Sequence, residues 1–216
     1  MSGTGSGRFI TLEGVEGAGK TTALEAMASH LAERGHAPLV TREPGGTDLG
    51  EAVRGLLLDH AGDGMCADTE ALLIFAARAE HLHRVVRPAL EAGQWVLCDR
   101  FTDATYAYQG AGRGLGNERV AVLEDWVQGP LRPDLTLVLD LPVSQGRARA
   151  GGRSAPDRFE REQDAFFERV RACYLRRATD EPQRVRVVDA SGSQADVRLS
   201  LQQMLDTWLR ESGLHD

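Results

Sequence analysis

Gly14-Val15-Glu16-Gly17-Ala18-Gly19-Lys20-Thr21 decides how the rest of this sequence is read. The eight residues fit G-x-x-x-x-G-K-[ST]. The apolar run Phe9–Leu12 precedes them, and Leu24, Met27, Ala28 and Leu31 come after them at helical spacing. Glycines let backbone N–H groups converge on phosphate oxygens, and the helix N-terminus adds partial positive charge. Lys20 adds a full charge, and the Thr21 hydroxyl can ligate Mg. Strand, glycine-rich loop and helix in this order predict a phosphate cradle for a nucleotide.

Outward from the cradle, short apolar runs recur at Phe9–Leu12, Pro38–Val40, Trp95–Cys98, Leu135–Leu141 and Val185–Val188, each separated by a helical pattern. Alternation of this kind predicts an α/β fold, a three-layer sandwich with a five-stranded parallel sheet flanked by helices. Gly35 sits where a left-handed cap would end the first helix. Leu72, Phe75, Ala79, Leu82 and Val86 recur at near-heptad spacing and predict one apolar face on the third helix. Val197, Leu201, Met204, Leu205 and Trp208 predict another on the last. Residues 1–7, almost all Gly and Ser, read as a flexible arm, and residues 8–216 as a single domain. The stretch 150–158, with two glycines and a proline among arginines, reads as a mobile loop within that domain.

Length and composition agree with one globular domain: 216 residues, 42% hydrophobic and 26% charged. The formal net charge of −7 supplies no general attraction to nucleic acid or to an anionic membrane, so any anion must be bound locally. Cys66, Cys98 and Cys173 are odd in number and lie far apart, which signals neither a disulfide framework nor a zinc site and suits a reducing, cytoplasmic setting. The longest pure apolar run, Ala71–Ala77, is far below the ~20 residues that span a bilayer.

A phosphate cradle serves switches, motors and small-molecule kinases alike. No Asn-Lys-x-Asp segment reads guanine, and the remaining length has no room for an additional ATPase domain. Asp99-Arg100, after the run Trp95–Cys98, falls at the carboxyl edge of the sheet, where ligands of open parallel sheets bind, and an arginine there can grip a second phosphate. Four segments then match one family in order: Glu13–Thr22, Thr41-Arg-Glu-Pro-Gly-Gly-Thr47, Phe75-Ala-Ala-Arg78, and Asp99-Arg-Phe followed by Ala107-Tyr-Gln-Gly110. Over nearly its whole length the sequence resembles the bacterial-type thymidylate kinases, nucleoside monophosphate kinases that make dTDP from dTMP and ATP.

The resemblance implies a P-loop NTP hydrolase fold with a short lid at about residues 147–158, and a Mg cofactor held with the help of Thr21. It implies ATP at Gly14, Val15, Glu16, Gly17, Ala18, Gly19, Lys20 and Thr21. It places dTMP against Arg42, Glu43, Pro44, Phe75, Arg78, Asp99, Arg100, Thr105, Tyr108 and Gln109. Phe75 and Arg78 are three apart and share a helix face, so one thymine can stack on the ring and bond the guanidinium. By the same resemblance Arg100 holds the acceptor phosphate, Thr105 helps read the base edge, and Tyr108 crowds a ribose 2′-hydroxyl. Glu16 either faces the acceptor sugar or orients the phosphate. Lys20, Glu16, Arg100 and two lid arginines form the catalytic set; of Arg147, Arg149, Arg153 and Arg158, the choice falls on Arg149 and Arg153. Ala104 stands where the pattern commonly has Ser. A homodimer through apolar helix faces is a further implication. The alternatives are a deoxynucleoside kinase, which needs a carboxylate base at a 5′-hydroxyl, and an ATP-binding switch without turnover, which the presence of Lys20 and Arg100 disfavours.

Overall fold

The computed structural model describes residues 7–59, 64–150, 158–160 and 162–214. Five strands, β1 (Phe9–Gly14), β2 (Leu39–Arg42), β3 (Val96–Asp99), β4 (Leu135–Asp140) and β5 (Val185–Asp189), form one parallel sheet in the order β2-β3-β1-β4-β5. These are the five runs expected from the sequence, with ends shifted by a residue or two. Because β3 lies beside β1, with Leu12 opposite Asp99, the loop after β1 and the Asp99-Arg100 pair open into the same crevice at the carboxyl edge.

The helices between them are α1 (Lys20–Glu33), α2 (Asp48–Asp59), α3 (Ala67–His81), α4 (Arg87–Glu91), α5 (Thr102–Thr105), α6 (Asn117–Gln128), α7 (Val143–Ala150), α8 (Asp164–Asp180) and α9 (Gln194–Glu211). One side of the sheet presents Ile10, Leu12, Leu97, Leu135 and Leu137, which join one core with Met27 and Leu31 of α1 and Leu201, Leu205 and Trp208 of α9. The other side presents Phe9, Val96 and Cys98, packed with Phe101 and with Leu82, Val86 and Ala89 from the α3–α4 segment. Each fully buried side chain of this size contributes roughly 1.5–3 kcal/mol, so the sheet is a rigid base for the crevice. No helix among the described residues is long and apolar enough to cross a membrane.

The expected stripe on α3 is not one face. Leu72 and Ala79 are exposed, whereas Phe75, Leu82 and Val86 are buried, and the face turned inward is Ala71, Ile74, Phe75, Arg78 and His81. Two physical reasons account for the difference. A seven-residue spacing drifts by about 20° per repeat on a straight helix, and a π-helical turn at Leu82–Val86 shifts the phase of the residues after it. Pro88 near the start of α4 has no N–H to donate into that turn. Two of the inward positions, Arg78 and His81, are polar, and a reading weighted to apolar residues passes over them. Of the arm, residues 1–6 lie outside the described residues, as do 151–157 of the loop, Arg153 among them.

Candidate active site

One cavity of about 980 Å³ runs along the carboxyl edge of the sheet, from the loop after β1 at one end to α3 and the Tyr106–Gly112 turn at the other. At the first end the cradle is made of backbone. Gly17 adopts φ 74°, and a Cβ there would come within 2.0 Å of the Gly146 carbonyl oxygen, so α7 packs on the loop only because both residues are glycine. α1 starts after Gly19, at φ 85°, with no side chain capping its first N–H groups among the described residues. Those groups, with the helix dipole, suit an anion. Lys20 Nζ lies 3.3 Å from both the Gly14 and Val15 carbonyl oxygens, folded against the loop. Burial lowers its pKa and the Arg100 charge adds to this, with Glu16 and Asp99 opposing; a phosphate in the cradle would add to that opposing negative charge.

Next to the cradle, Asp99 and Thr21 line the cavity, and Asp99 Oδ1 is buried with no hydrogen-bond partner among the described residues. An orphaned carboxylate oxygen in the same cavity as a hydroxyl fits a hard, oxygen-seeking dication. The described residues contain no cluster of three or more His, Cys, Asp or Glu side chains able to hold a metal by themselves, so such an ion would share its ligands with a nucleotide.

At the far end the cavity is lined by side chains that are already paired. Arg78, 1% exposed, donates from Nε to Glu43 Oε2 at 2.7 Å and from Nη2 to Thr105 Oγ1 at 3.0 Å. Its guanidinium lies over the Phe75 ring at 4.7 Å and the Phe101 ring at 4.8 Å. The other Glu43 oxygen accepts from His81 Nδ1 at 2.8 Å, and His81 Nε2 shares a hydrogen bond with Thr41. Burial pushes the Glu43 carboxyl up, but Arg78 and His81 outweigh it and leave the pKa below the ordinary value. Gln109 donates to Glu70 at 2.6 Å.

Arg100 sits between the two ends. Its backbone is at φ 67°, a left-handed conformation that costs an L-residue roughly 1–2 kcal/mol. Arg100 N–H to the Leu12 carbonyl at 3.0 Å and Phe101 N–H to Glu13 Oε1 at 2.7 Å hold it there. The guanidinium donates to Glu16 at 2.5 Å and to the Tyr108 hydroxyl at 3.1 Å, and it lies 4.7 Å from the centre of the Tyr108 ring. Burial works against ionised Glu16, yet Lys20 and Arg100 outweigh it and lower its pKa. Behind this group Tyr174 donates to Glu13, whose carboxyl is pushed up to about 7, mainly by burial and then by Asp103.

The thymidylate kinase family model matches residues 12–200. A thymidylate kinase of Pseudomonas syringae pv. tomato is 61% identical over 200 residues, 93% of this chain and 95% of that one. That of Alkalilimnicola ehrlichii is 58% identical over 214 residues, 97% and 99% of the two chains. The chain belongs to the thymidylate kinase family. In three dimensions the crystal structure of the thymidylate kinase from Ehrlichia chaffeensis superposes with a TM-score of 0.74 at 33% identity, covering 93% of this chain and 99% of that one.

Most of the residues expected of a thymidylate kinase site line this cavity: Glu16, Gly17, Ala18, Gly19, Lys20, Thr21, Glu43, Pro44, Arg78, Asp99, Arg100, Thr105, Tyr108, Gln109 and Arg149. Gly14 and Val15 lie beneath the loop and offer carbonyls to Lys20. Phe75 is buried under the Arg78 guanidinium instead of lining the cavity, and Arg42 reaches outward to Glu51 at 2.8 Å. Arg149 donates to the carbonyls of Ala190, Ser191 and Gly192, which places it at the start of α9. Arg147 pairs with Asp164, and Arg158 pairs with Glu70. Sequence reasoning missed Arg54, which lines the cavity beside Pro44 and donates to its carbonyl at 3.1 Å; its signal was its place four residues past Gly50 on an amphipathic α2. It also missed His81, Tyr174, Glu13 and Glu70, buried polar residues inside otherwise apolar faces.

Proposed function

We propose that this chain transfers the γ-phosphoryl group of ATP to dTMP, giving dTDP and ADP, with the two substrates at opposite ends of the one cavity. The observation that carries the reading is the guanidinium of Arg100, which stands between a phosphate cradle built of backbone and a pocket of paired side chains. Its planar fork suits two oxygens of the acceptor phosphate, and Arg54 is placed to add a second cation there. Glu16 holds Arg100 in position from the cradle side and so couples the two ends. Phosphoryl transfer leaves little covalent work to the protein, so alignment, charge neutralisation and exclusion of water are its tasks. Lys20 and the loop N–H groups neutralise the donor phosphates. Thr21 and Asp99 would hold Mg, which when bound spreads and neutralises charge on the phosphoryl oxygens.

In the acceptor pocket Arg78 and Thr105 offer donors to a base carbonyl, Gln109 reads the same edge, and Tyr108 fills the space a ribose 2′-hydroxyl would need. Phe75 acts through Arg78, whose face it supports. Arg149 belongs with the adenosine end, by its place on the Ala190–Gly192 carbonyls. Arg153 is the arginine left for the transferring group, on a lid spanning about residues 147–158 of a single domain, residues 8–216. A cytoplasmic location suits the three unpaired cysteines.

A homodimer is part of this reading, with its surface moved. Phe75, Leu82 and Val86 are spent inside the chain, whereas Leu49 and Leu56 of α2, Leu72 of α3, and Val122 and Trp126 of α6 are exposed, Trp126 at 81%. An aromatic this open, in an apolar group on neighbouring helices, is the signature of a contact surface. The test of the activity is ADP release with ATP–Mg and dTMP, dCMP, dGMP or thymidine as acceptor. Release that needs dTMP supports the reading; release with thymidine but not dTMP makes the chain a nucleoside kinase.

A further inference from the structure

Glu70, in the first turn of α3, is fully buried, yet phosphoryl transfer as described makes no use of it. Its carboxylate accepts from three side chains: Gln109 Nε2 at 2.6 Å, Arg113 Nε at 3.2 Å, and Arg158 Nη2. Arg158 is fixed in turn by the Leu57 carbonyl at 2.9 Å. A buried charge persists only where partners compensate its lost hydration, and two guanidiniums do so here. The third partner needs another explanation, because two arginines already balance the charge. Gln109 is 2% exposed and lines the cavity beside Thr105 and Arg78.

We infer that Glu70 sets the base selectivity of the acceptor pocket by fixing which way round the Gln109 amide lies. The inference rests on the reading of that pocket as the dTMP site. The two ends of a primary amide have nearly the same shape, and only the hydrogen-bond partners decide which end is N–H and which is C=O. The Glu70 oxygens accept from two guanidiniums and so present lone pairs to Gln109. Nε2 must therefore face Glu70, since the flipped amide would set a carbonyl oxygen against a carboxylate oxygen at hydrogen-bond distance, leaving the amide oxygen buried without a donor there. One N–H and the carbonyl remain to offer a ligand.

That donor–acceptor pair complements the C4 carbonyl and N3–H of thymine or uracil. Cytosine presents the reverse, an amino donor at C4 and an acceptor at N3, and would need the flipped amide that Glu70 forbids. Glu70 thus acts as a positioning residue: it touches no substrate and works through Gln109.

The test is kcat/KM for dTMP, dUMP and dCMP in the native chain and in Glu70→Gln, where the new amide can donate or accept and so permits either orientation of Gln109. The dTMP-over-dCMP ratio is expected to fall by about tenfold or more, with the change in KM exceeding that in kcat. The dTMP-over-dUMP ratio is expected to stay within about twofold, because uracil keeps the same edge. In a Gln109→Ala background, Glu70→Gln is expected to leave the dTMP-over-dCMP ratio unmoved. An unchanged dTMP-over-dCMP ratio in the single variant, or both ratios falling together, overturns the inference. Absence of dTMP turnover in the native chain overturns the reading beneath it instead. Should Glu70→Gln fail to fold, the native chain still decides: in ¹⁵N-labelled protein the Gln109 side-chain amide, assigned by its loss in Gln109→Ala, is expected to show one proton protected from exchange. Two freely exchanging protons would contradict it.

Discussion

The two ends of the cavity are built in opposite ways. At the cradle end the binding groups are backbone N–H groups from one contiguous stretch, made possible by absent side chains: Gly17 against Gly146, and Gly19 before an uncapped α1. At the far end they are side chains from α3, the β2 edge and the Tyr106–Gly112 turn, brought together by the fold and paired before any ligand arrives. The first construction leaves a need, unsatisfied donors and a lysine folded on carbonyls, which an anion meets. The second leaves few needs, because Glu43, Arg78 and His81 satisfy one another and Glu70 is met by Gln109, Arg113 and Arg158. Its gain is fixed orientation, which is what reading a base requires.

The largest contrast should appear with Lys20→Ala. Loss of the one full positive charge in the cradle is expected to lower kcat by about 10³-fold, while titration with dTMP shows its binding kept and thermal unfolding barely moves. A large loss of stability in this variant would break the comparison. Arg78→Ala is expected to do the reverse. With Glu43 left buried and short of a partner, chemical denaturation should show a loss of about 3 kcal/mol, and the KM for dTMP should rise while that for ATP holds. Arg78→Lys should not restore either, because an ammonium cannot serve Glu43 and Thr105 in the same fork geometry.

A smaller effect tests the buried group behind Arg100. Glu13 is pushed up to about 7 in the folded chain from an ordinary 4.5, so between those values the unfolded chain is ionised there and the folded chain is not. This group therefore lowers stability as pH rises through that window, by about 1.4 kcal/mol per pH unit, and Glu13→Gln should flatten the slope. Asp103 runs the other way. Burial opposes its charge, but Arg184 and Arg177 outweigh it and pull the pKa down to about 2 from 3.8, so its contribution is present above 3.8 and lost as pH falls toward 2. Denaturant midpoints across pH 2–8 check both signs. The smallest change is expected at α9, which, unlike α1, has a complete capping box between Ser193 and Asp196. Asp196→Ala should lower the denaturant midpoint slightly, by loss of the reciprocal cap, and leave the KM for dTMP as it was.

The same contrast explains what could be read from the sequence. The cradle was legible because its eight residues are adjacent and each glycine has a stereochemical reason. The strands were legible because a parallel sheet buried on both faces leaves unbroken apolar runs. Of the proposed acceptor pocket, Arg78, Thr105 and Gln109 came from family resemblance, and spacing alone put Phe75 on the same face but not under the guanidinium. Glu70 and His81 were illegible, since one charged residue on a helix face looks solvated until its partners, 39 and 38 positions away in Gln109 and Glu43, are seen to meet it. Arg42 and Glu43 are neighbours with opposite fates, one outward to Glu51 and one inward to Arg78, because successive residues of extended chain point to opposite faces and Glu43, just past the end of β2, still bonds through its N–H to the Asp99 carbonyl.

The central claim is that Arg100 holds the acceptor phosphate where the two ends meet. Its most direct test is calorimetric titration of dTMP and of thymidine, which differ only in that phosphate, into the native chain and into Arg100→Ala. The account predicts that the native chain prefers dTMP strongly and that the variant binds the two nearly alike, with thymidine affinity little changed. A variant that keeps the full preference for dTMP would contradict it.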